Sequence, residues 1–315
     1  MSARLKIILS MTAFGTLSLF VRRIALSSAE VALFRALIAL LALGGGKVLW
    51  MGVKKLPPSP LRGDTSLGEG VASLARPREG ERWRAAPERG HSLPRLLLFL
   101  SGAAMGFNWI FLFEAYKYTT VSVATLSYYF APVLVTLACP LLFHERMTAR
   151  NVVCFVGSTA GLMLVVNPGA LAGTDPVRGV LFGLAAATLY ATVVLLNKKI
   201  SVYSGIDRTV LQFGAAALVL LPYVLLSGGF HFARMDAAGW TCLMAVGLIH
   251  SALAYVLYFS ALKSLPGHDA AILSYIDPLV AVVVSLVVLR ESVAPSQLLG
   301  GAMILAFTLA DELGR

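Results

Sequence analysis

Charge is scarce in this chain. Only 13% of its 315 residues are Asp, Glu, Lys or Arg, where a soluble domain carries about 25%. Hydrophobic residues make up 58%, and the mean hydropathy is +0.80. A soluble core cannot hide that much apolar surface, so the composition points to an all-α polytopic membrane protein. Cysteine is also rare. Cys139, Cys154 and Cys242 all lie in apolar runs, which excludes a disulfide scaffold or a thiolate metal site and leaves them as packing residues. There is no Walker motif, no HExxH and no GxSxG. The Gly44-Gly45-Gly46 triplet follows no strand and precedes no Lys-Ser/Thr pair, so it is not a phosphate loop. ATP-driven pumping within the chain and common hydrolase chemistry lack support, and no cofactor or metal is expected. The net charge of +10 does not mark a nucleic-acid binder, because the basic residues gather in the loops between apolar runs. No small-residue cleavage site follows the first run. Arg22 and Arg23 come directly after it, so an uncleaved first span is expected.

What the chain does have is long apolar runs. A spanning helix needs about 20 apolar residues. Ten candidates meet or approach that length: 5–22, 30–50, 95–114, 121–142, 150–168, 178–197, 208–228, 237–258, 269–290 and 296–312. Most connections are short. The exception, 54–95, holds Pro57, Pro58, Pro60, Pro77, Pro87 and Pro94, five glycines and nine basic residues. No apolar period runs through it, and it reads as a mostly disordered cytoplasmic loop.

The chain also repeats itself. Phe113 to Glu145 aligns without a gap on Phe259 to Glu291, with identities at Phe113/Phe259, Ala115/Ala261, Lys117/Lys263, Ala124/Ala270, Tyr129/Tyr275, Pro132/Pro278 and Glu145/Glu291. The offset there is 146 residues. The first helices of each half align at 176, pairing Phe14/Tyr190, Arg22/Lys198 and Arg23/Lys199. The loop 54–95 accounts for the difference. The halves are then 1–170 and 171–315, with five helices each. An odd number of spans per half inverts the second half relative to the first, the pattern of many secondary transporters. With both termini cytoplasmic, 19 Lys and Arg residues fall inside and six outside, the bias expected of an inside N-terminus.

Candidate site residues follow from polar groups that sit deep in apolar runs. Pro132 and Pro278 break the fourth and ninth spans and free the carbonyls of Tyr128 and Ser274. Such a group in hydrocarbon needs a partner or a wet cavity. The alternative is a kink that only shapes packing. Asp277 stands beside Pro278 near mid-span, and its repeat partner is Ala131. A carboxylate at that depth is functional by default. It is expected to hold a cationic or amine group of a substrate, or a coupling proton; a hydrogen-bonded structural aspartate is the alternative. Arg35 lies within the second span. It pairs with Asp277, Glu114 or a substrate carboxylate, or else snorkels to the interface. His250 is either a hydrogen-bonded packing residue or a proton relay. Asn108, Trp109, Tyr128, Tyr129, Tyr255, Ser274 and Tyr275 complete the candidate cavity, with packing as the plain reading of the aromatic ones. Glu114 and Lys117 read as a local i,i+3 pair. Glu145 and Glu291 read as structural residues that pair with bases at the interface. Gly157, Gly161, Gly300 and Gly301 read as close-packing positions for helices.

Two five-helix halves, Arg35 early in the second helix, and the Pro132…Glu145 and Pro278…Glu291 endings together resemble the EamA family of the drug/metabolite transporter superfamily. The resemblance covers nearly all of the chain outside 54–95. It implies a ten-helix carrier with cytoplasmic termini, a central cavity between the halves and alternating access. The second half departs from the pattern at Leu211, where no arginine matches Arg35. The expected function is secondary active export of a small polar metabolite, such as an amino acid or related compound, across the plasma membrane, in a bacterium the inner membrane. The alternatives are a carrier of drugs or cations, or of nucleobases or nucleotide sugars, then a membrane-embedded lipid enzyme or a channel. The expected partners are the small-molecule substrate, the lipid bilayer and a coupling proton, with no nucleic acid, and the protein is expected as a monomer or homodimer.

Overall fold

The computed structural model describes residues 1–54, 92–143, 148–166, 174–200, 203, 205–262, 264–265 and 267–313. These contain no strand. They form helices α1 (Ala3–Val21), α2 (Ser28–Lys54), α3 (Ser92–Tyr118), α4 (Val121–Tyr128), α5 (Ala131–Phe143), α6 (Ala149–Val165) and α7 (Pro176–Lys199). The later helices are α8 (Gly205–Leu226), α9 (Ala237–Gly247), α10 (Ala254–Leu262), α11 (Gly267–Ser274), α12 (Ile276–Val283) and α13 (Pro295–Glu312). Two π-helical turns, Leu248–Leu253 and Val284–Val288, interrupt the later chain.

Among the described residues, seven stretches are long and apolar enough to cross a bilayer: Ala3–Val21, Ser28–Gly45, Leu93–Tyr118, Val121–Cys139, Pro176–Lys199, Gly205–Leu226 and Ala237–Leu262. Ala149–Val165 and Ile272–Val288 are shorter apolar helical stretches. Of the ten expected spans, 150–168, 269–290 and 296–312 contain helices among their described residues but lie outside the set of seven. The chain is a multi-pass membrane protein. The expected loop 54–95 is shorter than its composition indicates, because α2 runs to Lys54 and α3 starts at Ser92. Pro94 falls in the first turn of α3, where its missing N–H costs no hydrogen bond. The remainder of that loop lies outside the described residues, as do Glu145 and Lys263.

Local chemistry sets the helix ends. Ser27 and Glu30 form a capping box on α2: Glu30 N donates to Ser27 Oγ at 3.2 Å, and Ser27 N donates to Glu30 Oε2 at 2.8 Å. Thr148 and Asn151 do the same for α6. Asp175 and Pro176 open α7, and Asp236 caps α9 through Gly239 N at 2.7 Å. The breaks fall one turn before the two prolines. α4 ends at Tyr128 and α5 begins at Ala131, so Pro132 occupies a helix start. α11 ends at Ser274 and α12 begins at Ile276, two residues before Pro278.

The helices pack in a regular scheme. α3 lies against α7 and α8, α2 against α8 and α9, α1 against α10 and α12, and α4 and α5 against α7. α6 and α13 form a pair of their own. They cross at Gly161 and Gly300, where a methyl group built on Gly300 would collide with Gly161 O. Such backbone contact suits a membrane, where no hydrophobic force drives helices together and close van der Waals approach must serve instead. Polar side chains add links: Gln212 Nε2 on α8 donates to Ser101 Oγ on α3 at 2.6 Å and to Asn197 Oδ1 on α7 at 2.8 Å.

Candidate functional site

Arg35 and Asp277 sit in one aromatic cluster, contributed from opposite parts of the chain. Arg35 projects from α2 and is 3% exposed, so it does not snorkel. Its Nε–H donates to Ser251 Oγ at 2.8 Å. Its Cζ lies 4.5 Å from the Trp109 ring centroid and 6.0 Å from that of Phe113. A guanidinium over an indole face is a favourable cation–π contact, stronger where water is excluded. Ser251 Oγ in turn donates to Val246 O at 2.9 Å, five residues back. That spacing belongs to the π turn, which turns Ser251 toward Arg35.

Asp277 occupies the first turn of α12, just past the break at Tyr275. The Tyr129 hydroxyl, from the break in α4–α5, donates to Asp277 Oδ2 at 2.6 Å. The two broken helices are therefore tied to each other by this bond at their breaks. Arg35 makes no ion pair with Asp277, yet it lies within electrostatic range of Asp277, Tyr255, Tyr128 and Tyr116. Each charge is held by a neutral hydroxyl, and neither cancels the other.

Aromatic rings line the space around them. Trp109 meets Phe213 edge-on at 5.4 Å, Phe213 meets Tyr255 at 5.5 Å, and Tyr255 meets Phe14 at 5.3 Å. Tyr128 contacts Tyr129 at 6.0 Å and Tyr190 at 5.5 Å. His250 is buried against Phe20, with ring centroids 4.5 Å apart, and its nitrogens lie 3.3 Å from Thr16 Oγ1 and 3.1 Å from Ala245 O. Both nitrogens are occupied, as a packing histidine requires.

The remaining candidates lie apart from the charged centre or face helix contacts. Asn108 Nδ2 donates to Ala186 O at 2.6 Å, joining α3 to α7, while its amide also lies beside the Tyr128 hydroxyl. Ser274 Oγ turns back to Ala270 O at 2.8 Å. Tyr275 forms the break itself, its N–H reaching Ile272 O at 3.2 Å. Lys117 pairs with Glu114 at 2.9 Å. Ser251, Tyr116, Phe14, Phe213 and Tyr190 belong to the cluster but were not among the expected residues. Phe14 and Tyr190 alone carried a signal, as repeat partners of each other.

Helix α1 closes on this site without room to spare. A methyl group at Gly15 would stand 2.6 Å from Asp277 O and 2.7 Å from Val280 Cβ. Gly15→Ala is therefore expected to lower stability by about 1–3 kcal/mol, read as a lower thermal unfolding midpoint in detergent.

A cavity of about 600 Å³ opens at the end of the bundle that carries the α1–α2 turn, lined by Arg22, Ile24, Phe113, Tyr116, Lys117 and Glu291 among others. Phe113, over which Arg35 also lies, is among the residues lining this cavity.

Comparison with known proteins agrees with this architecture. The profile described as the EamA-like transporter family matches residues 1–167 and again 177–310. The chain is 27% identical to the uncharacterized transporter YxxF of Bacillus subtilis, over all of this chain and 91% of that protein. It is 31% identical to an uncharacterized transporter of Archaeoglobus fulgidus, over 62% of this chain and 68% of the other. It is 24% identical to the threonine/homoserine exporter RhtA of Escherichia coli, over 88% of this chain and 90% of that one. A solved structure titled only as a crystal structure of protein shares the fold, with a TM-score of 0.56 at 17% identity, covering 99% of this chain and 96% of the other. Two matches of one profile span nearly the whole molecule, and the chain belongs to the EamA-like transporter family.

Proposed function

We propose that this protein is a secondary active exporter of a small polar metabolite, with amino acids the first substrates to test. In this reading residues 1–170 and 171–315 are inverted five-helix repeats, ten spans in all, and the substrate passes between them by alternating access. Both termini face the cytoplasm, and in a bacterium the host membrane is the inner one. The packing scheme supports the two-repeat arrangement. Exchanging the halves turns the α3–α7 contact into α1 against α9–α10, and α4–α5 on α7 into α11–α12 on α1. The α2–α8 and α6–α13 pairs map onto themselves.

The observation that carries the reading is the placement of Arg35 and Asp277. They are opposite charges from different halves, within electrostatic range of each other, each held by a hydroxyl and not by the other. Charges at that depth are costly unless used. A zwitterion would satisfy both, its carboxylate on Arg35 and its ammonium on Asp277. The similarity to a threonine/homoserine exporter favours the same substrate class. The tyrosines around Asp277 favour an organic cation as the second reading. A coupling proton on Asp277 is the simplest driving force.

Counterflow into proteoliposomes preloaded with threonine, homoserine or an amine tests the reading. Saturable exchange supports it; uptake that stays linear with concentration for every compound overturns it. Arg35→Lys keeps the charge but loses the planar stack on Trp109 and the Nε–H bond. It is expected to weaken substrate affinity roughly tenfold, read as a smaller ligand-induced thermal shift.

A further inference from the structure

The end of the bundle that carries the α1–α2 turn is closed by one ion pair set between two helix termini. Arg22, the residue that caps α1, pairs with Glu291. The same guanidinium donates to Tyr116 O at 2.8 Å and to Thr119 O at 2.9 Å, the open carbonyl end of α3. The other oxygen of Glu291 accepts from Val121 N at 2.8 Å, the first amide of α4, and from Ser285 Oγ. Each charge therefore sits on the helix end whose dipole it complements, the cation at a C-terminus and the anion at an N-terminus. Glu291 is delivered there at a conformational cost. Arg290, just before it, has φ +53°, in the left-handed region that a side chain disfavours. The second π turn supplies Ser285, whose carbonyl also takes Glu291 N–H at 2.9 Å.

This cluster ties α1, α3 and α4 to the segment after α12. α4 leads directly to Tyr129, and Asp277 lies in the first turn of α12. These two helices are therefore joined twice, once at the charged centre and once at the bundle end. A path between them cannot open at this end while the second junction holds. We infer that the Arg22–Glu291 pair is a latch that keeps this end of the transport path shut, and that its release is the step that opens the path there. A guanidinium serving one carboxylate and two carbonyls is fully used only in the shut form. Separation exposes every member to water at once, so the junction should release as a unit.

The latch goes beyond the carrier reading, and its test needs no substrate, so a failure of either is distinguishable from a failure of the other. Cysteines replacing Lys117 and Ser292, which line the cavity on either side of the junction, would carry spin labels in a full-length chain whose three native cysteines have been replaced. The protein would be measured in lipid bilayers. The parent should give mainly one short distance. Glu291→Gln and Arg22→Gln should each raise the ratio of long to short distances by roughly tenfold, the loss expected for a charge-assisted junction. Arg22→Lys and Ser285→Ala, milder changes, should shift it in the same direction and decide the matter if the neutral variants do not fold. Distance distributions indistinguishable from the parent in the folded variants would overturn the latch.

Discussion

Asp277→Asn is expected to cut substrate counterflow by on the order of 10²-fold, with the thermal unfolding midpoint little changed. Removing one charge from a buried, hydrogen-bonded site commonly costs 2–5 kcal/mol of the interaction it serves, while an amide of the same shape keeps the packing. The amide oxygen of the variant could still accept from Tyr129, so the break between α11 and α12 should survive. What is lost is the charge facing Arg35 across the tyrosine cluster. Tyr129→Phe removes only the hydroxyl at 2.6 Å and should cost nearer tenfold, the scale of a hydrogen bond to a charged group. If Asp277 also carries the coupling proton, the residual flux of Asp277→Asn should lose its dependence on a pH gradient. Wild-type rates at every pH would dismiss the assignment.

Gly300→Ala is expected to cost about 2–4 kcal/mol of stability, at the upper end of what overpacking does. Its methyl group would collide with Gly161 O and stand 2.9 Å from Val165 N. Those are backbone atoms, which cannot rotate away, so the α6–α13 pair must separate along its length. Gly214 is the matched control: it also lies in a helix, α8, but nothing approaches its methyl position within 4 Å. There alanine should gain about 0.5–1 kcal/mol, from helix propensity alone. Steric trapping or reversible unfolding in mixed micelles would measure both. Equal effects at the two positions would mean that the crossing is looser than its backbone contacts indicate.

Much of this was legible in the sequence because it is written in single residues. Asp277 stands out because a carboxylate in an apolar run is rare, whatever surrounds it. The breaks were legible because proline cannot donate, and they fall within a turn of Pro132 and Pro278. The pair Lys117–Glu114 is three residues apart and needs no fold to be read. Partners far along the chain were not legible. Ser251 lies 216 positions from Arg35 and looks like any serine in an apolar helix. Arg22 lies 269 positions from Glu291. The repeat marked Glu291 as structural without naming its partner. Asn108 was expected to face the cavity, and its amide also bonds Ala186 O, a link that depends on how closely α3 and α7 approach. The π turns left no mark, because no residue type calls for them.

The first of those turns has a consequence of phase. Opposite it in the repeat, α3 runs on as an unbroken α-helix, while Leu248–Leu253 takes the wider winding. A π turn holds one residue more than the α turn it replaces, so the chain before it is rotated by about 100° relative to the chain after it. The two matched stretches are thus in step between the first π turn and the second, and out of step before the first. Deleting a single residue such as Ala252 would restore the common phase. It would also swing His250 and Ser251 off their present face and leave the Arg35 guanidinium without its hydroxyl. The asymmetry that sets the two charges apart is, in this sense, one residue long.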